Sequence, residues 1–365
     1  MKKIVVFPYH PDVNTLIDFK SMLKCVTLSG FISFKEDKHL IQPLNKAIGS
    51  DNLSAEKLLE NCDAVVLVDN FRGYNPDKYY QLIEYATCIG KEILITPLAE
   101  SQLELSKWHG RYHLLEHLPS EPLNSNSGDA SDALDVGVES REIDIPVITV
   151  AGMGKNCDKF MNQLLLKELL DKEYTSVSIT SNALGALFGC YTIPSFLYEN
   201  QSFYNKVTNF NRYVYKVTKE QNADVITIGI PEGVLEFGEL EQNHFTEYPL
   251  VVTTAVAADL TILCTYFMRN EEPVHLERKL SEVMTICENK FDMPIDAIAI
   301  SRTNLEIPTD EFVVRYEYLD EKFLQKYYPT LEAVNLPLID ITNRSKAFSV
   351  LAECILRLED NADAI

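Results

Sequence analysis

Short apolar runs alternate along the chain with stretches in which apolar residues recur every three or four positions. Lys3–Phe7 is the first run and reads as a strand. After it, Leu16, Ile17, Phe19, Met22 and Leu23 give Val13–Lys24 helical spacing. Ala64–Val68 is almost continuously apolar, the pattern of a strand buried on both faces. Asp77–Ile89 then predicts a helix, Glu92–Thr96 a strand closed by Pro97, and Glu100–His113 another helix. Repeated strand–helix alternation favours a mostly parallel sheet covered by helices on both faces.

Pro119–Asp144 interrupts the pattern. Glu121, Asp129, Asp132, Asp135, Glu139, Glu142 and Asp144 stand there against the single Arg141, with Ser, Asn and Gly between them. Few of these side chains could offset the entropy lost on ordering, so the segment reads as a flexible acidic linker. The alternation then resumes. Pro146–Val150, Ser176–Thr180, Asp224–Ile230, Leu260–Thr265, Ala297–Ile300 and Leu336–Ile341 read as strands, and Phe312–Tyr318 as an added one. Lys159–Leu170, Val274–Cys287 and Lys346–Leu358 read as helices, and Phe203, Val207, Phe210, Val214 and Val217 form a helical stripe. That stripe suits a core helix or a homodimer face equally. The expected architecture is α/β: two Rossmann-like, mostly parallel three-layer domains at 1–118 and 145–365, the acidic linker 119–144 joining them.

Charge narrows the partners. With 54 Asp and Glu against 33 Lys and Arg the net charge is −21. No basic cluster is present, which argues against nucleic acid or an anionic membrane surface, where affinity rests on clustered Lys and Arg. The eight cysteines are scattered without a C-x-x-C pair, so the usual zinc, cluster and thioredoxin spacings are excluded and no metal is expected. Reduced thiols in apolar segments fit a reducing cytoplasm. The apolar run before Pro8 is too short for a signal peptide, and Tyr174–Tyr198, although uncharged, carries too many polar and helix-breaking residues to span a membrane.

The stretch richest in chemistry is Ile148–Phe160, where a strand runs into a turn holding Gly152 and Gly154 and a helix follows. Such a turn aims backbone N–H groups and the positive end of a helix at one spot, which is how phosphate is held. Lys159 stands where a phosphate-loop lysine would reach the β/γ-phosphates. Asp158 replaces the preceding glycine and Phe160 the Ser or Thr whose hydroxyl would ligate Mg²⁺, so the second domain reads as P-loop NTPase-like with a degenerate loop. Asp158 suits a helix cap for ordinary reasons, and is expected to occupy the place a phosphate once filled. ATP or GTP with Mg²⁺ is the ligand such a loop would take if it still worked. Candidate binding residues are Gly152, Gly154, Lys155, Asn156, Asp158, Lys159, Ser181, Asn182, Glu232 and Gly233.

The spacing from Gly152 to Asp158-Lys159 resembles the phosphate loop of dethiobiotin synthetase and its relatives. In that class an acidic residue and a glycine lie near the metal, matched here by Glu232-Gly233 after a strand, and base-recognising residues lie where Ser301-Arg302-Thr303-Asn304 stand. Glu232-Gly233 reads equally as a plain turn. At a finer level Gly152–Phe160, Thr180-Ser181-Asn182 and the acidic linker resemble a family of clostridial peptide-maturation proteins that accompany radical-SAM enzymes and bacteriocin-like precursor peptides. That resemblance implies an accessory role, with a precursor peptide or a radical-SAM maturation enzyme as partner, and names no reaction. An NTP-dependent ligase acting on a peptide or small carboxylate, and a small-molecule binding module, are the alternatives.

Three other groups have chemistry to offer. Cys157, at a helix N-terminus beside Lys155 and Lys159, is expected to have a lowered thiol pKa and to be a catalytic candidate, unless it is only a small residue in a tight turn. His10, after the first strand, is a second candidate as acid or base, or else a turn residue. Ser181 and Asn182 follow a strand end, where ligands of parallel sheets usually sit. His109, His113 and His117 would share a face if the helix from Glu100 continued, although Pro119 follows closely.

Overall fold

A computed structural model describes the chain except for residues 70–74, 116–139, 237–242, 270–272, 307–313, 328–334 and 363–365. Its contacts divide it into two compact units, Met1–Gly128 with Asn182–Thr192, and Asp129–Ser181 with Ile193–Ile365. The excursion Asn182–Thr192 is absent from a linear split of the chain. It carries Leu184, Ala186, Leu187 and Phe188, all buried, and the Leu187 carbonyl accepts the Lys24 N–H at 2.8 Å. Apolar side chains on a short 3₁₀ turn thus place this stretch in the first unit. Residues 119–139 of the expected linker lie outside the described residues. Its end is held by the second unit: Arg141 exchanges backbone bonds with the Asn211 amide at 2.6 and 2.9 Å, and Asp144 pairs with Lys219 at 2.9 Å.

The first unit runs β1 (Lys2–Phe7), α1 (Thr15–Asp18), β2 (Val26–Phe31), α2 (Lys38–Ala47), α3 (Ala55–Asn61), β3 (Ala64–Leu67), α4 (Pro76–Cys88), β4 (Glu92–Ile95), α5 (Pro97–Ser101) and β5 (His113–Leu114). All its strand pairs are parallel, in the order β2-β1-β3-β4-β5. Strand order reverses between β1 and β3, the switch point outside which ligands of such sheets tend to bind. Val5, Phe7, Val65, Leu67, Ile93 and Ile95 share one core with Tyr79 and Ile83 of α4.

Two helices expected from spacing are broken. Val13–Lys24 is a 3₁₀ turn at Pro11–Asn14, the single turn α1 and a second 3₁₀ turn at Lys20–Met22, because Phe19 leaves helical backbone at φ −118°, ψ 28°. Glu100–His113 is likewise not one helix. α5 ends at Ser101, a 3₁₀ turn occupies Ser106–Trp108, and Gly110 takes φ +76°. Trp108 stacks on Tyr80 at 5.2 Å while Leu103 and Leu105 are buried, so core packing wins over helical spacing. His113 lies on β5 and His109 caps the 3₁₀ turn, so they share no helical face; His117 lies outside the described residues.

The second unit runs β6 (Val147–Gly152), α6 (Lys159–Leu170) and β7 (Ser176–Thr180); β8 (Tyr191–Thr192) lies in the excursion. It continues with α7 (Phe203–Gln221), β9 (Val225–Gly229), α8 (Glu247–Ala255), β10 (Leu260–Thr265), α9 (Pro273–Phe291) and β11 (Ile295–Ile300). The antiparallel pair β12 (Thr303–Glu306) and β13 (Arg315–Tyr318) follows, then α10 (Glu321–Tyr327), β14 (Leu338–Ile339) and α11 (Arg344–Ala362). The parallel order β14-β11-β10-β6-β9-β7 puts β6 in the middle with all six of its residues buried. Val207, Phe210, Val214 and Val217 are buried within the unit, so this part of the apolar stripe of α7 is core, while Phe203 at its start is exposed. Both units are Rossmann-like α/β layers with mostly parallel sheets. Among the described residues no helix is long and apolar enough to cross a membrane.

Tyr79 ties the first unit together: it is fully buried, and its hydroxyl donates to the Val68 carbonyl at 2.6 Å, just past the end of β3. Tyr79→Phe keeps the ring and removes the donor, so we expect a loss of about 1–3 kcal/mol. Urea denaturation would show it as a lower midpoint at unchanged slope.

Candidate phosphate-loop site

β6 delivers its last residue, Gly152, to the carboxyl edge of the sheet, and the segment Met153–Asp158 turns there into α6. Three backbone bonds hold the turn, one from β10 and two from the segment after β9: Met153 N–H to Cys264 O at 2.9 Å, Val234 N–H to Gly152 O at 2.9 Å and Leu235 N–H to Met153 O at 3.3 Å. Glycine is required where the two loops meet. A Cβ on Gly233 would lie 2.3 Å from Gly154 Cα and 2.4 Å from Met153 O, and one on Gly152 would lie 2.3 Å from Cys157 Sγ. Asn156, Asp158 and Glu232 take left-handed φ values of 55°, 57° and 54°. Asn and Asp tolerate that region well, whereas Glu232 stores strain there.

Side chains close the turn on itself. The Lys159 ammonium donates to Gly154 O at 2.7 Å and also to Glu232 O. Lys155 lies 3.5 Å from the Glu232 carboxylate, and its carbonyl accepts the Tyr266 hydroxyl. Asp158 Oδ2 accepts the backbone N–H of Arg302 at 2.6 Å and lies 3.6 Å from Arg302 Nε. The Arg302 guanidinium in turn covers the Tyr318 ring at 5.2 Å. Gly152, Gly154, Lys155, Asn156, Asp158 and Lys159 on one turn and Glu232 and Gly233 on the other therefore lie together in one cluster. Arg302 joins it through its contacts with Asp158.

Two expectations about this cluster are corrected. Asp158 stands at the N-cap of α6 but makes no side-chain cap bond; its carboxylate is turned to Arg302 instead of into the loop's N–H groups. The Cys157 thiol is pushed up from its ordinary value, not down. Burial is the main cause and outweighs the lowering from Lys159 and from the 3.2 Å bond that the thiol donates to Gly154 O. Loss of solvent around a thiolate can cost more than a helix N-terminus and a nearby cation return.

The remaining candidates fall elsewhere. Asn182 belongs to the first unit, where its side chain accepts the Leu184 N–H at 3.0 Å and donates to Asp12 Oδ2. That carboxylate lies 3.7 Å from His10 Nδ1, and Asp69 Oδ2 lies 3.6 Å from His10 Nε2. Because Nδ1 accepts the Asp12 N–H at 3.2 Å, a neutral ring carries its proton on Nε2, toward Asp69. His10 is thus engaged at both nitrogens. Ser181 is exposed. Sequence reasoning missed Tyr266 and Tyr318; the only hint for Tyr266 was its place directly after β10, at the same sheet edge as the glycine turn.

Mg²⁺ does not fit this donor set. Phe160, where a hydroxyl would be needed, is buried, and the Glu232 carboxylate is engaged by Lys155. Among the described residues no group of three His, Cys, Asp or Glu side chains could hold a metal ion.

No protein-family model matches the sequence, and no curated protein matches it. Solved structures do resemble it. A DUF1611 family protein from Anabaena variabilis superposes with a TM-score of 0.60 at 13% identity, over 98% of this chain and 100% of that one. Apo McdA from Cyanthece gives 0.35 at 13% identity, over 58% of this chain and 99% of that one. A plasmid partition protein from Borrelia burgdorferi gives 0.30 at 15% identity, over 59% and 99%. At such identities the likeness to the first is one of fold, and the other two superpose too loosely to add to it.

Gly233→Ala should force the two loops apart and cost about 1–3 kcal/mol, read as a lower melting temperature. Thiol labelling with a disulfide reagent near neutral pH should modify the exposed Cys25 and Cys88 in the folded protein. Cys157, with its raised pKa, should stay protonated and react only after unfolding. Fast labelling of Cys157 in the native state would contradict the burial argument.

Proposed function

We propose that this chain is an accessory protein of peptide maturation that works by binding, without nucleotide turnover, on a phosphate-loop scaffold closed by its own groups. The observation that carries the first half is Lys159. Its ammonium, which in a working loop reaches the β/γ-phosphates, is spent on Gly154 O and Glu232 O. A lysine satisfied by carbonyls of its own loop supports a structural role. Phe160 in place of a metal-binding hydroxyl supports the same reading, since phosphoryl transfer rests on a metal that neutralises developing charge. The second half, a precursor peptide or a radical-SAM maturation enzyme as partner in a reducing cytoplasm, rests on the resemblance carried by Gly152–Phe160 and Thr180-Ser181-Asn182.

Calorimetric titration with ATP and GTP, with and without Mg²⁺, tests the closed loop together with a phosphate-release assay. We expect no turnover. Lys159→Ala should destabilise the protein by about 2 kcal/mol, a melting-temperature drop on the order of 5 °C, because two carbonyls lose a charged donor. Mg²⁺-dependent hydrolysis that disappears in Lys159→Ala would replace this reading with that of an NTP-dependent ligase.

A further inference from the structure

The exposed aromatic side chains are gathered in one place. Tyr198, Phe203, Tyr204 and Phe245 are 48%, 41%, 67% and 67% exposed, and no other aromatic side chain among the described residues is exposed. Two contacts bring their segments together. Tyr198 meets Tyr248 edge-to-face at 5.2 Å, and Lys206 pairs with Glu247 at 3.0 Å, which holds the first turns of α7 against the start of α8. Tyr204 and Phe245 each stand two residues from that ion pair. Taking about 200 Å² for a whole aromatic residue, the four expose on the order of 400–500 Å². The largest apolar patch on a soluble chain is of that size and is often an interaction surface.

Charge points to what covers the patch. In a chain of net charge −21, Asn200–Asn205 is exposed or half-buried and carries no charge. Around the aromatic residues the signs balance: Glu199 adjoins Tyr198, Glu247 is matched by Lys206, and Lys290 donates to Thr246 beside Phe245. A basic partner would be drawn to the acidic remainder of the surface rather than here. Two copies of the chain repel one another wherever the acidic excess is exposed, and least where it is absent. We propose that this aromatic patch is a self-association surface, which seats the same patch of a second copy about a two-fold axis. Aromatic rings pair edge-to-face with their own kind, as Tyr198 and Tyr248 already do. The patch is thus complementary to itself, as a two-fold interface requires. Doubled over two copies, the aromatic area is on the order of 1,000 Å², the lower end for specific interfaces, so the dimer is weak, with a Kd on the order of micromolar. The surface belongs to α7 and α8 and does not depend on whether the phosphate loop takes a nucleotide.

Sedimentation equilibrium of the full chain, over a concentration series spanning that Kd and without nucleotide, is the test. The parent should rise from one chain mass to two. Tyr204→Glu and Phe245→Glu add a carboxylate to the patch of each copy, and each should weaken the dimer at least about tenfold, roughly 1.4 kcal/mol. Leu356→Glu, at an exposed position of α11, adds the same charge elsewhere and should leave the dimer unchanged. Circular dichroism checks the fold of each variant, and Tyr204→Ala with Phe245→Ala repeats the comparison without added charge. A parent that stays monomeric well above micromolar concentration overturns the proposal and leaves the patch to a different partner. A dimer that survives folded Tyr204→Glu and Phe245→Glu overturns it too, since the contact would then lie elsewhere. Equal weakening by Leu356→Glu does the same, because the effect would then be one of net charge.

Discussion

The ammonium of Lys159 joins segments 73 residues apart, and the geometry of the second unit's sheet edge follows from it. By donating to Gly154 O and to Glu232 O it clamps the turn after β6 to the turn after β9. That clamp is possible only because Gly233 lets backbone touch backbone at Gly154. The constraint spreads outward. Glu232 is held in left-handed backbone, Lys155 is positioned beside its carboxylate, and the Lys155 carbonyl receives the Tyr266 hydroxyl from the end of β10.

Charge explains why this cluster can exist in so acidic a chain. The net charge of −21 would favour a surface that repels anions, yet three cations and two carboxylates are gathered at one sheet edge. Each carboxylate is committed to a cation within the cluster, so nothing there is free to hold a metal, and the local balance stays slightly positive. The neighbouring thiols respond to burial more than to that balance. Cys157 and Cys264 are both pushed up, burial being the first cause in each case.

The first unit shows a related economy at its own switch point. His10 follows β1, Asp69 follows β3, and Asp12 and Asn182 complete a set of hydrogen-bonding groups around the ring. Asn182 reaches it from the excursion, a stretch more than a hundred residues later in the chain. The bond from the Asp12 N–H to His10 Nδ1 stabilises this edge of the sheet, in keeping with the cost of leaving buried donors and acceptors unmade.

Apolar periodicity was enough to place β6, α6, β7, β10 and the stripe of α7, because buried parallel strands and amphipathic helices write their burial into local spacing. It was not enough for Val26–Asn61, where Ser29-Gly30 breaks the apolar pattern within β2 and Pro43 lies inside α2, nor for Glu100–His113, where Trp108 and Leu103 reach the core from irregular backbone. The sequence by itself determined the α/β class and the strand, glycine turn and helix around Gly152–Lys159, since those depend on residues adjacent in the chain. Tertiary structure alone decided where Asp158 points, which unit Asn182 joins, and that the Cys157 thiol is raised. Each of those turns on a partner or a burial supplied by distant residues: Arg302 for Asp158, Asp12 for Asn182, and the packed sheet edge for Cys157.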